Sequence, residues 1–165
     1  YTMSKRYTQP LNLERARGIL VTPQEKELYE SLSAYIIRNL AQEDKMTILV
    51  YMPQFCFLVG RKNIFENDEY IFSNLLSLSK AQNKTQKLDS LVSLFADRVV
   101  SRMKTEKPKI FLLVNDNKTP DFQSLDSRIA DYAQKNYYLD KVFGPANIFE
   151  FGGKLWWVKV YKYKD

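Results

Sequence analysis

A chain of 165 residues, 45% apolar and 14% aromatic with only five glycines and six prolines, is sized for one domain with a real core and unsuited to disorder or low-complexity structure. It has no histidine, and Cys56 is its single cysteine, which excludes a Ser-His-Asp or Cys-His triad, an internal disulfide and the usual His- or Cys-ligated zinc site within the chain. The net charge of +6 points only weakly to anionic partners, because cations alternate with acids, as in Arg102, Lys104, Glu106 and Lys107, and a solvated mixed-charge surface is expected.

Residues 1–16 open on a polar run (Thr2, Ser4, Lys5, Arg6) without an initiator methionine. They read as a linker or tail leading from a preceding region into a single domain over 17–165. No window reaches the roughly 20 apolar residues of a membrane helix, and no signal peptide is visible, so the chain as given is expected to be soluble. Thr22-Pro23-Gln24-Glu25 announces a helix, with a capping Thr, Pro at the first helical position and Glu three residues after the cap. Leu28, Leu32, Tyr35, Ile36 and Leu40 continue it at helical spacing over 23–41.

A buried strand, Met46 to Met52, follows and is stopped by Pro53. The apolar run 54–60, which holds Cys56 as a buried structural thiol, fits a short helix or a strand and ends at the polar turn Gly60-Arg61-Lys62-Asn63. A helix is expected from Glu66 to Ser79, a polar break over 81–86, and a long amphipathic helix carrying Leu88, Leu91, Val92, Phe95, Val99 and Met103. Lys109 to Val114 is the second buried strand. The helical crossover between the two strands implies that they run parallel.

Phe122, Leu125, Ile129, Tyr132 and Ala133 mark the next helix. Leu139–Phe143, Asn147–Phe151 and Lys154–Tyr163 then read as antiparallel strands, the last two joined at Gly152-Gly153. The expected fold is α/β: a mixed sheet, parallel in the middle, with a C-terminal antiparallel hairpin and helices packed on its faces.

The segment from Ala16-Arg17-Gly18-Ile19-Leu20-Val21 through Thr22-Pro23-Gln24-Glu25, the strand ending in Tyr51-Met52-Pro53, and Phe57-Leu58-Val59-Gly60-Arg61-Lys62-Asn63 resemble a known family. It is the C-terminal extracytoplasmic region of bacterial polytopic GT-C glycosyltransferases, the dolichyl-phosphate-mannose-protein mannosyltransferase-like enzymes. The resemblance covers most of residues 15–163 and departs from the pattern over 64–107, where longer helices stand in place of a short loop. It implies a domain on the periplasmic or cell-surface face of the bacterial inner or cytoplasmic membrane, attached to its own upstream transmembrane region. The parent would transfer sugar from a polyprenyl-phosphate carrier to an acceptor, using an acidic residue in a loop outside this chain. The domain itself would assist substrate or acceptor access, with no catalytic residue, metal or cofactor of its own.

The substrate-binding candidates are Tyr51, Arg61, Asn63 and Asn115, all expected near the C-terminal ends of strands, where open α/β sheets bind ligands. Arg61 suits a phosphate or carboxylate; the plainer reading is a glycine turn with solvated flanking charges. Asn115 and Asp116 read more simply as a polar loop. Asp131 and Asp140, or Glu66, Asp68 and Glu69, sit in surface-helix or turn contexts ill suited to paired-acid chemistry. Trp156 and Trp157 alternate across a strand, so at most one is expected in the core. A competing function is a free-standing binding module for nucleic acid or another anionic ligand, although the scattered cations disfavour nucleic acid. A small transferase with its own pocket is a third, and it lacks any G-x-G-x-x-G loop.

Overall fold

A computed structural model describes residues 8–49, 54–65, 86–115, 125–147 and 155–164. Its strands are β1 (Gln9–Pro10), β2 (Leu20–Val21), β3 (Lys45–Leu49), β4 (Lys62–Asn63), β5 (Ile110–Asn115), β6 (Tyr137–Ala146) and β7 (Trp156–Tyr163). The helices are α1 (Pro23–Asn39), α2 (Gln54–Val59), α3 (Gln86–Glu106) and α4 (Ser127–Asn136).

The largely apolar runs of β3 and β5 make sense because both strands are covered on both faces; every residue of β5 is buried. Five strands form one sheet in the order β4-β3-β5-β7-β6. β3 is parallel to β4 and to β5, whereas β7 is antiparallel to both β5 and β6. The mixed α/β sheet read from the sequence is therefore the observed fold. α1 and α2 bury Leu28, Leu32, Ile36, Phe55 and Val59 against Met46, Ile48, Leu112, Val158 and Val160. On the opposite face, α3 and α4 bring Ala96, Val99, Met103, Ile129 and Ala133 onto Phe111, Leu113 and Tyr161. Cys56 is buried and free, as expected.

Local chemistry sets the element ends. Thr22 Oγ1 accepts from the Glu25 amide at 3.2 Å and the Glu25 carboxylate accepts from the Thr22 amide at 2.9 Å, a reciprocal cap that starts α1. α1 stops at Asn39, short of the expected 41, because Leu40 turns extended and buries its side chain. The ambiguous run after β3 is helical. Its end is a Schellman turn, in which Gly60 N–H donates to Phe57 O and Arg61 N–H to Cys56 O, both at 3.1 Å, with Gly60 at φ +65°. α4 begins later than its apolar spacing suggests, since the Asp126 side chain accepts from the Arg128 amide and takes the cap.

β6 is one strand of ten residues instead of the short Leu139–Phe143, and Asn147 lies beyond its end. The rest of the expected Asn147–Phe151 strand, the Gly152-Gly153 turn, the Glu66–Ser79 helix and Phe122 lie outside the described residues. Within the stretch 1–16, residues 8–16 pack onto the domain: Gln9 pairs with Val21, and Leu11 and Ala16 are buried. Among the described residues no helix is long and apolar enough to cross a membrane.

Candidate functional site

From β3 the chain crosses through α2 on one face to β4, and from β5 it continues into α4 on the other face. The chain thus diverges between the C-terminal ends of β3 and β5, which is the switch point where open α/β sheets place ligands. Asn115 stands there at the end of β5, only 7% exposed, on the strand face shared by Leu113 and Phe111. It lies in register with Trp157 of β7, and Lys159, two residues along that strand, is fully buried. An amide and a half-buried indole on one sheet face can hydrogen-bond a polyol, with the Lys159 ammonium buried on the same face. Lys159 was not among the residues singled out from sequence. Its signal is parity: Trp157, Lys159 and Tyr161 alternate against the core residues Val158 and Val160. Burying an ammonium is costly unless it is matched by acceptors, so an inward lysine marks a polar interior.

Arg61 and Asn63 are not at this end. A strand parallel to β3 must start where β3 starts, so α2 carries the chain back and Lys62 pairs with Lys45. The expectation that Arg61 and Asn63 lie near a strand's C-terminal end is corrected accordingly. Because Met46 is level with Ile110, these residues lie about 16 Å along the strands from Asn115. Arg61 Nη2 donates to the Leu40 carbonyl at 3.0 Å, beyond the C-terminus of α1, and Asn63 Oδ1 accepts from the Phe65 amide at 3.3 Å. Both are thereby engaged in local fastening. Tyr51 and Asp116 lie outside the described residues.

The turn at Gly60 also meets the segment before α1. A Cβ there would lie 3.1 Å from Arg15 Cζ, and the same guanidinium sits 5.8 Å from the centroid of the Phe57 ring. α2 is further tied to α1 by Tyr29 stacked on Phe55, with centroids 6.4 Å apart.

A groove of about 640 Å³ lies between α3 and α4, lined by Asp97, Lys104, Arg128 and Asp131 among others. Arg128 is already spent within the protein: Nε and Nη2 grip both oxygens of Asp126 at 2.9 and 3.0 Å, and Nη1 reaches Asp97 at 2.8 Å and Ser93 at 2.9 Å. The hydrogen bond from Arg128 holds Asp126 below its ordinary carboxylate value. Asp44 is held down by Lys109 and Glu106 by Lys45. These three carboxylates therefore stay ionised at neutral pH and cannot donate a proton as general acids. Burial instead raises the Tyr132 and Tyr137 phenols, which donate to the carbonyls of Met103 and Pro108. The acids considered for paired chemistry are apart: Asp131 is on α4, while Asp140 accepts from Tyr35 of α1 across the sheet and bridges to Lys162 at 3.4 Å. Glu66, Asp68 and Glu69 lie outside the described residues. Trp156 packs against the α1 core, and Trp157 is half-buried.

No protein-family model, curated protein or solved structure matches the chain.

Proposed function

We propose that this chain is an extracytoplasmic accessory domain of a bacterial membrane-bound glycosyltransferase that draws sugar from a polyprenyl-phosphate carrier. In this role it assists substrate or acceptor access beside an active site carried by its upstream transmembrane region. The observation that carries the reading is how the motif residues behind the resemblance interlock around α1. The Thr22–Glu25 box starts that helix, Arg61 closes on the carbonyl just past its end, and Arg15, next to the Arg17-Gly18 turn, packs on Gly60. Motifs that fit together as joints of one unit behave as a single framework, and that supports reading them as one inherited pattern. The part suited to contact an acceptor or carrier-linked sugar is the C-terminal end of the sheet, away from Arg61, where Asn115 and Trp157 stand side by side.

The test is to raise an antibody to the domain, fractionate the source cells and probe intact cells or spheroplasts with protease. A large integral-membrane polypeptide, cleaved from outside at this domain, is the expected result. A small soluble polypeptide would overturn the reading and leave a free-standing module for an anionic ligand.

A further inference from the structure

We propose that the corner formed by residues 14–20 and the outer side of α2 is a membrane-surface dock, seated at the headgroup–acyl boundary of a bilayer that contains anionic lipid. Ile19, Leu20 and Phe57 are large apolar side chains left 50%, 52% and 62% exposed. They belong to one corner. Ile19 N–H closes the turn onto the Ala16 carbonyl at 3.1 Å, Leu20 continues into β2, and Arg15 of the same turn lies over the Phe57 ring. Three such side chains gain little from water, and among the described residues none covers them.

The charge around them is one-sided. Residues 14–20 and 54–65 carry Arg15, Arg17, Arg61 and Lys62 against the single acid Glu14, and Arg15, Arg17 and Lys62 are exposed. Apolar tips ringed by cations suit lipid, because the tips enter the acyl boundary while the guanidinium groups meet headgroup phosphates. Four other exposed apolar positions lack this setting: Leu91 and Leu94 are followed by Asp97 beside Arg98, and Tyr138 and Leu139 by Asp140 beside Lys141. The chemistry of this corner stands whether or not the parent is a glycosyltransferase.

Flotation of the chain with vesicles tests it, comparing phosphatidylcholine alone with equal parts phosphatidylcholine and phosphatidylglycerol. The chain is expected to float with the anionic vesicles at low salt and to be released by high salt. Arg15→Glu with Arg17→Glu should lower the partition coefficient at least about tenfold, and Ile19→Ser with Phe57→Ser by roughly tenfold. Ile37→Ser, an exposed apolar change on α1, should leave it unchanged. Failure to float with anionic vesicles, or double variants that float like the parent chain, would overturn the proposal. Should either double variant lose its fold, hydrogen exchange on the unaltered chain reads the same face: anionic vesicles should slow the amides of residues 19–21 and 55–59, and unchanged exchange there overturns it. A large membrane-bound native polypeptide whose corner ignores vesicles would sink this inference alone, whereas a small soluble one that still binds them would sink only the glycosyltransferase reading.

Discussion

Replacing Arg61 by alanine should lower the stability of the isolated domain. The guanidinium donates from Nη2 to the Leu40 carbonyl at 3.0 Å, so it supplies a charge-assisted hydrogen bond just beyond the C-terminus of α1. Such a bond contributes about 1.5–3 kcal/mol, and a cation near a helix C-terminus adds about 0.3–1 kcal/mol. Against this, Arg61 Nε is buried with no hydrogen-bond partner among the described residues, a desolvation cost of about 1–3 kcal/mol that the substitution relieves. The balance is a loss of about 1 kcal/mol, which for a chain of this size lowers Tm by about 2–4 °C. Arg61→Met, which keeps much of the aliphatic stem, should lose most of the same stability if the hydrogen bond matters more than packing. Thermal and urea unfolding followed by circular dichroism would measure it, with an unchanged urea slope showing that the unfolded state is unaltered. A wild-type Tm for both variants would refute the fastening role and return Arg61 to the ligand candidates.

Gly144→Ala should be far more damaging: its φ is +105°, and an added Cβ would sit 2.7 Å from the backbone carbonyl oxygen of Trp156, so the β6–β7 pairing must shift, which is checked by loss of soluble, cooperatively unfolding protein. Burial raises the Tyr137 phenol above its ordinary 10.0, so its contribution is complete below that pH and declines as pH rises further, when the unfolded phenol ionises and the folded one does not. Tyr137→Phe should therefore flatten the alkaline fall in Tm while costing about 1 kcal/mol at neutral pH for the lost bond to Pro108. Asp126→Ala removes the cap of α4 and should cost about 1 kcal/mol at neutral pH. Because Arg128 lowers the Asp126 carboxyl below 3.8, that contribution is present above this value and lost as pH falls through the folded pKa, so the variant should show a shallower acid limb in Tm.

Much of the framework was legible because its signals are local. Thr22 and Glu25 lie three residues apart and cap each other; β3 and β5 are apolar at every buried position except Thr47 and Asn115, which is what strands covered on both faces require. The site was less legible, because it depends on topology. Gly60-Arg61-Lys62-Asn63 reads as a polar turn beyond a strand, and nothing in that tetrapeptide says whether the chain has already returned to the strand's beginning. Only the pairing of Lys62 with Lys45 settles it. Lys159 was missed for a different reason: a lysine between valines suggests an outward position, yet Val158 and Val160 face the α1 core and Lys159 shares the other buried face with Tyr161. Alternation gives a residue's face reliably, but whether a face meets solvent depends on which helices cover it, and β7 is covered on both sides.

The relocation of Arg61 separates two tasks that the sequence had merged. At the N-terminal edge, the conspicuous cations hold joints: Arg61 binds the Leu40 carbonyl, and Arg15 shields Gly60 and Phe57. Fastened side chains make poor ligand hands, because any contact with substrate would first have to break a bond that stabilises the fold. At the C-terminal edge, Asn115 carries both donors and acceptors and stands where the chain leaves β3 and β5 for opposite faces of the sheet. On the two proposals above, recognition would fall to Asn115 and Trp157, and surface attachment to the exposed apolar tips of Ile19, Leu20 and Phe57 with the exposed cations beside them.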